Sequence, residues 1–227
     1  MSDATYAHCA QLTRDQWAWE FLRRNPDYRQ DYLAFIAIWR ALEADYGVPP
    51  ERDFHRWKQD PRAYGPLPGD DELNAACGEL CSVDDDRVLL ECWMGAKWGF
   101  YKFPLDPERP TPPGADDLTW RPPLPASSRP IGDPYRVDLA FDLSLPLPPQ
   151  LETARLRLAR HTADLRRQGL AAPVTVANQR ARWTRMLQLL DADSAGRTTD
   201  EHDATLLREA QATMRQGYLD ILRLGET

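Results

Sequence analysis

Arginine residues are concentrated between Arg155 and Arg185, where eight of them occur with a single acid, Asp164. Guanidinium groups stay charged at physiological pH and donate several hydrogen bonds each, which suits them to phosphates and carboxylates. Seven arginines are therefore candidate contacts to a nucleic acid or a protein partner: Arg155, Arg160, Arg166, Arg167, Arg180, Arg182 and Arg185. Two alternatives are a solvated helix surface and contact with an acidic face of the chain itself.

Residue types that carry catalysis or bind metals form no recognisable motif in this chain. The four His are scattered, and P-loop, dinucleotide-binding, HExxH and GxSxG motifs are absent. Cys77 and Cys81 share a face of a predicted helix, but a second close pair is missing, so buried thiols are favoured over a metal site. We predict that the chain is not an enzyme and takes no cofactor, no metal and no small-molecule substrate.

Two further groups of charged side chains are explained by helix ends and ion pairs, without a binding site. The run Asp84-Asp85-Asp86 favours a helix N-terminus over a cation site, because successive side chains point in different directions. Arg23 and Arg24, beside Glu20 and Asp27, indicate a solvated helix corner held by ion pairs.

The overall composition is that of a folded chain with an uneven charge. The 227 residues carry a net charge of −7, which argues against a chain that coats nucleic acid. From Leu151 to Thr227 there are 12 Arg and 10 acids, hence +2, so the remainder carries −9. No apolar run reaches the roughly 18 residues of a membrane span, and no signal peptide is evident, so we expect a cytoplasmic protein with reduced thiols.

Helix start signals organise the N-terminal part. Thr13 and Gln16 form a predicted capping box for a helix to about Arg24, and Asn25-Pro26 then begins a second helix that Gly47 ends. Its aromatic residues follow the helical period, which predicts that they point inward. Further helices are predicted over residues 71–80 and 85–98.

The C-terminal part begins after a proline-rich connector, residues 104–134, where ten of 31 residues are Pro. Alternating apolar residues predict a strand over 136–145, which pairs with residues 100–103 or with the same strand of a second chain. Helices are predicted over 150–167 and 178–190. A second capping box at Thr198–Glu201 then begins the last helix, which ends at about Leu224.

These elements predict a mainly α fold with one or a few short β-strands. We expect an N-terminal helical domain over residues 1–103, the connector over 104–134, and a C-terminal domain over 135–227 built from one strand and a three-helix unit.

Several sequence stretches resemble a known family. WAWEFLRRNPDYRQDY (17–32) is similar to the opening motif of a transcriptional-regulator-like domain of bacterial integrative and conjugative elements. GAKWGFYKFPLDPERP (95–110) and VDLAFDLSLPLPPQLETARLRL (137–158) resemble its following segments. RMLQLLDADSAG (185–196) and MRQGYLDIL (214–222) resemble a helix-turn-helix-like C-terminal domain. The resemblance implies transcriptional control on a mobile element without catalytic activity.

The C-terminal part departs from that family where DNA would be read. Only 21 residues separate Gly196 from Tyr218, so the helix that would enter a major groove is shortened or absent. Our first hypothesis is a non-enzymatic, DNA-binding regulator of a mobile element that uses its C-terminal arginines, with a homodimer as one assembly. The alternative is a protein-binding antagonist whose acidic N-terminal part engages a basic partner, such as a nucleic-acid-binding machine.

Overall fold

The computed structural model describes residues 3–65, 87–101, 103–109, 112–114, 116–121, 132–170, 174–198, 200–201 and 203–226. The predicted helix over 71–80, Cys77, Cys81 and the acidic run Asp84-Asp85-Asp86 lie outside these residues. The chain forms two compact units: the first is Met1–Pro123 with Thr175–Thr227, and the second is Leu124–Val174.

Eight α-helices lie in the described part of the chain, and all but α5 belong to the first unit. They are α1 (Arg14–Leu22), α2 (Pro26–Tyr46), α3 (Phe54–Trp57), α4 (Leu90–Lys97), α5 (Leu147–Arg167), α6 (Val176–Ser194), α7 (Ala204–Ala212) and α8 (Tyr218–Ile221). Two 3-10 helices, Asp3–Gln11 and Pro61–Ala63, and a π-turn, Thr213–Gly217, complete the helical part.

The predicted starts of α1 and α2 are confirmed. The Thr13 hydroxyl accepts a hydrogen bond from Gln16 N at 3.4 Å, and Gln16 Oε1 accepts one from Thr13 N at 3.0 Å. Asn25 Oδ1 accepts from Asp27 N at 2.9 Å and from Tyr28 N at 3.4 Å, with Pro26 in the first turn. Gly47 ends α2 with a φ of 86°, a conformation that glycine adopts without strain.

Helix α1 lies at the centre of the first unit, because all six residues from Trp17 to Leu22 are buried. Trp17 packs on Trp183 of α6 with ring centroids 5.3 Å apart, and Trp19 meets Tyr28 of α2 edge-on at 5.9 Å. A helix buried on every side needs no polar face, which explains its weak amphipathic pattern. The prediction that the opening aromatic residues point inward is confirmed.

Arg24 is partly buried, so the predicted helix corner is right in its ion pairs and wrong in placing Arg24 in solvent. Its Nη1 donates to Glu20 Oε2 at 2.6 Å, and Glu20 is only 1% exposed. Its Nε and Nη2 donate to Asp191 Oδ1 and Oδ2 of α6 at 2.8 and 3.0 Å. Tyr6 donates to the same Asp191 Oδ2 at 2.7 Å. These four residues form the Glu20–Arg24–Asp191–Tyr6 network.

The C-terminal helices belong to the first unit because they complete its hydrophobic core, in which Trp183, Met214 and Ile221 pack with residues of α1. This division differs from the predicted boundaries at 104 and 135. Two residues after α8 bond to the starts of α6 and α1: Gly225 O accepts from Val176 N at 2.9 Å, and Glu226 Oε1 accepts from Arg14 N at 2.9 Å. Both bonds use first-turn N–H groups that a helix leaves without partners.

Two predicted helix boundaries in this region are wrong. Helix α6 is longer than predicted, since it begins at Val176, where Asn178 Oδ1 accepts from Thr175 N at 3.2 Å. Helix α7 begins at Ala204 rather than at the capping box of Thr198. The segment between the two helices, Ala195–Asp203, exceeds the three or four residues of a helix-turn-helix turn.

The predicted strand over 136–145 is not formed in the second unit. Residues 136–142 have no regular secondary structure and 143–145 form a turn, and the Gln150 side chain bonds the backbone of Asp142 where a neighbouring strand would do so. Gln150 Oε1 accepts from Asp142 N at 2.9 Å, and Nε2 donates to Asp142 O at 2.9 Å. The alternating pattern is not used for burial here: Leu139, Ala140 and Phe141 together line a cleft with Pro149 and Ala154 of α5, and Leu143 is exposed.

The described residues are mainly helical and contain no β-sheet, which confirms the coarse fold class. The isolated bridges are Tyr64–Leu89, Phe100–Trp120 and Thr175–Gly225. Phe100 therefore pairs with Trp120, on which its ring stacks at 4.4 Å, and not with residues 136–145. Within the described residues, no helix has the length and apolar character needed to cross a membrane.

Candidate nucleic-acid interface

Helix α5 carries four of the seven candidate arginines: Arg155, Arg160, Arg166 and Arg167. The helix begins at Leu147, three residues before the predicted start, because Pro148 and Pro149 fit its first turn, where the missing N–H groups would have no partner. It ends at Arg167 with Gln168 as its C-cap, followed by Gly169 with a φ of 70°. All four side chains are exposed to solvent.

Spacing divides the α5 arginines between two faces of the helix. Arg157, Arg160 and Arg167 follow one another at intervals of three and seven residues, which places them in one row. Arg155 and Arg166 are eleven residues apart and occupy a second row. At about 1.5 Å rise per residue, the first row extends over about 15 Å of helix surface.

Two of these arginines form local ion pairs. Arg155 makes a bidentate contact with Glu152, with Nε–Oε2 and Nη2–Oε1 distances of 2.8 and 2.7 Å, and its hydrogen bonds lower the pKa of that carboxyl group. Arg167 pairs with Asp164, one turn earlier. Both pairs are exposed, so they are weak and exchange readily with an external anion.

Three further arginines of α5 keep their full charge available. Arg157, Arg160 and Arg166 have no ion-pair or hydrogen-bond partner within the described part of the chain. Arg157 and Arg160 line a cleft of about 420 Å³ together with Arg136 and His161. His161 Nε2 lies 2.7 Å from Pro134 O and donates to it, which fixes the ring at the edge of this cleft. Asp138 and Asp164 also line the cleft, and Arg136 pairs with Asp138, so the cleft offers an anion chiefly the guanidinium groups of Arg157 and Arg160.

The three candidates on α6 are used within the first unit. Arg180 Nη1 donates to Ala10 O at 2.7 Å. Arg182 pairs with Glu209, and Arg185 pairs with Asp203. These two acids lie on α7 and at its start, so both ion pairs join α6 to the following helix and take up part of the charge that the arginines could offer a phosphate.

The structure therefore separates the seven candidates into two groups, one in each unit, and gives them different environments. Arg157, counted in the arginine-rich run but not among the seven, lies in the same exposed row as Arg160 and Arg167. In the sequence, the three-residue spacing between Arg157 and Arg160 indicates that the two side chains share a helix face.

No cluster in the described residues has the composition of a metal site, that is, three or more His, Cys, Asp or Glu side chains close together. Cys9 is buried, and burial raises the pKa of its thiol, which makes it a weak nucleophile and a poor ligand. Cys92 is half-buried in α4.

Comparison with known proteins gives one match. Residues 1–57 match the family model of a proteobacterial transcriptional regulator-like domain. The matched stretch covers 57 of 227 residues and includes α1, α2 and α3, hence the opening motif. No curated protein and no solved structure matches the chain. The match therefore shows a regulator-like domain in the N-terminal quarter of the chain.

Proposed function

We propose that this protein is a DNA-binding transcriptional regulator in which the exposed arginines of α5 contact backbone phosphates. The observation that carries the proposal is the row Arg157, Arg160 and Arg167, of which the first two have no acidic partner among the described residues. The match of residues 1–57 supports a role in transcriptional regulation. Helix α5 offers a positively charged surface that suits a phosphate backbone.

Contact with phosphates suits these side chains better than contact with bases. Phosphate contacts require charge and reach, and they tolerate arginines distributed around a helix. Reading of bases requires a helix that presents adjacent side chains into a major groove, commonly within a helix-turn-helix. Because the connection Ala195–Asp203 is too long for such a turn, we assign α6 and α7 no role in reading bases.

The predicted contacts on α6 have a secondary place in this proposal. Arg182 and Arg185 can reach a phosphate only after leaving Glu209 and Asp203. We therefore expect Arg155, Arg160, Arg166 and Arg167, together with Arg157, to contribute more to binding than the α6 arginines.

Fluorescence anisotropy with a labelled mixed-sequence duplex tests the proposal. We compare the parent protein with the double variant Arg157→Glu/Arg160→Glu at several salt concentrations. The expected result is salt-sensitive binding by the parent and at least tenfold weaker binding by the variant, because two phosphate contacts become repulsive.

A matched control changes the same net charge elsewhere. The variant Arg40→Glu/Arg208→Glu alters two exposed arginines on α2 and α7, and its affinity should remain within about threefold of the parent if α5 makes the contacts. Equal losses in both variants would show a general charge effect and contradict the assignment to α5. Absence of binding by the parent at low salt would contradict DNA binding altogether.

The finer parts of the proposal rest on the sequence resemblance. We propose that the regulated genes belong to an integrative or conjugative element and that the protein acts in the cytoplasm. A homodimer stays a prediction of the sequence, and light scattering at the concentrations used for DNA binding tests it. The antagonist alternative has no described contact in its favour.

A further inference from the structure

A second cleft, of about 480 Å³, lies in the first unit where α2 begins, α4 ends and the π-turn meets α8. Its volume is within the roughly 300–1,000 Å³ of small-molecule sites. Asn25 and Asp27 line it at the start of α2, Lys97 and Trp98 at the end of α4, and Arg215 from the π-turn. None of the residues that line it lies on α5.

Direct bonds between these elements give the cleft fixed walls. Asn25 Nδ2 donates to Met214 O of the π-turn at 3.2 Å, which joins the start of α2 to the C-terminal helices. Tyr218 donates its hydroxyl proton to Trp98 O at 3.2 Å. Both Asn25 and Tyr218 are buried, so these bonds are shielded from water. The backbone that carries the cleft is therefore preorganised, which lowers part of the entropic cost of binding a ligand.

The π-turn, Thr213–Gly217, is an unusual feature at this position. Turns of this kind are rare, and they occur frequently at functional sites. Here the turn releases Met214 O from the regular helix pattern for the bond with Asn25, and it presents Arg215 at the cleft. The π-turn thus shapes the cleft as well as connecting α7 to α8.

The charges at the cleft leave one acid and one base available. Asp31 Oδ2 accepts from Lys97 Nζ at 2.9 Å and from Trp98 Nε1 at 2.9 Å, so Lys97 is neutralised and the indole is oriented. The Asp27 carboxylate and the Arg215 guanidinium form no ion pair with each other or with another described residue. Two opposite charges therefore line one cleft without meeting.

We propose that this cleft binds a free α-amino acid as an effector of the protein. The ligand's ammonium group contacts Asp27, its carboxylate receives the forked donors of Arg215, and its side chain packs on Trp98 and Leu219. A zwitterion pairs with both charges at once. A simple anion would face the like charge of Asp27, and a simple cation would face the like charge of Arg215.

Isothermal titration calorimetry with the full chain and individual free L-amino acids tests this inference. At least one amino acid should bind, and its N-acetyl derivative and its methyl ester should each bind at least tenfold more weakly, since each lacks one of the two charges. Asp27→Asn and Arg215→Ala should separately weaken binding by at least tenfold. Circular dichroism verifies the folding of both variants, which change exposed side chains.

Arg40→Ala serves as the matched control, because it removes an exposed arginine of α2 outside the cleft. Its affinity for the bound amino acid should equal that of the parent. The proposal is overturned if no amino acid binds at millimolar concentration. It is equally overturned if the N-acetyl derivative binds as well as the parent compound, or if the affinity survives in either cleft variant.

Discussion

Arg24 and Asp191 are 167 positions apart and form a two-point ion pair, with Nε–Oδ1 and Nη2–Oδ2 distances of 2.8 and 3.0 Å. The pair joins the end of α1, within the regulator-like stretch, to α6 near the other end of the chain. Its second partner, Glu20, is almost completely buried. The Glu20–Arg24–Asp191–Tyr6 network therefore fixes how the N-terminal helices and the C-terminal helices pack in the first unit.

Replacing Arg24 with Met should lower the free energy of unfolding by about 3 kcal/mol, because Glu20 would keep a buried charge with only the longer 3.4 Å contact to Arg23. Urea unfolding at neutral pH measures the change. Arg40→Met, at an exposed position of α2, is the control and should change stability by less than about 0.5 kcal/mol. Equal stability of the two variants would show that the network contributes nothing.

Replacing Asp191 with Asn should change how stability depends on pH. Burial alone would raise the pKa of Asp191, but hydrogen bonds from Arg24 and Tyr6 outweigh burial and hold the pKa below its usual range. A carboxyl group with a lowered pKa stabilises the fold above its unfolded pKa of about 3.9, and this contribution is lost as the pH falls further through the folded value.

Urea unfolding at about pH 6 and about pH 3 tests this dependence on the Asp191 carboxyl. The parent should be more stable than Asp191→Asn at the higher pH, and the difference should shrink at the lower pH. Asp116→Asn, an exposed position, should follow the parent at both values. A difference that stays constant with pH would assign the effect of the variant to packing instead of charge.

Replacing Gly65 with Ala should destabilise the first unit by about 2 kcal/mol, as expected for an overpacked core. A methyl group at this position would lie 2.8 Å from Cβ of Trp93, a fully buried residue of α4 whose ring cannot move aside freely. Thermal unfolding measures the loss. Gly114→Ala is the control, because its methyl group would meet only Asp117 Oδ2, at 3.7 Å. A Gly65→Ala variant as stable as the control would contradict this packing.

The salt dependence of DNA binding should decrease in a neutral variant of α5. Each phosphate contact contributes about 0.9 to the slope of log K against log salt, so Arg157→Gln/Arg160→Gln should reduce the slope by about 2. Arg182→Gln/Arg185→Gln should reduce it by less, because those arginines pair with Glu209 and Asp203. Anisotropy titrations between about 50 and 200 mM salt give both slopes. A larger reduction by the α6 variant would reverse our assignment of the contacts.

Local signals in the sequence determined where the first two helices start. Thr13 with Gln16 and Asn25 with Pro26 specify where α1 and α2 start, because each motif supplies hydrogen bonds to helix N–H groups within four residues. The mainly helical class and the inward aromatic residues followed from the same short-range patterns. The match of residues 1–57 also agrees with the resemblance seen in the opening motif.

Tertiary structure decided what depends on partners distant in the chain. Alternation over 136–145 favoured a strand, but a strand needs a neighbour, and the Gln150 side chain took that place. Likewise, Arg24 resembled a solvated residue until Asp191 came within bonding distance, and Arg182 and Arg185 resembled binding residues until α7 supplied Glu209 and Asp203. The sequence determines which groups are charged, whereas packing decides which of those charges remain available to a ligand.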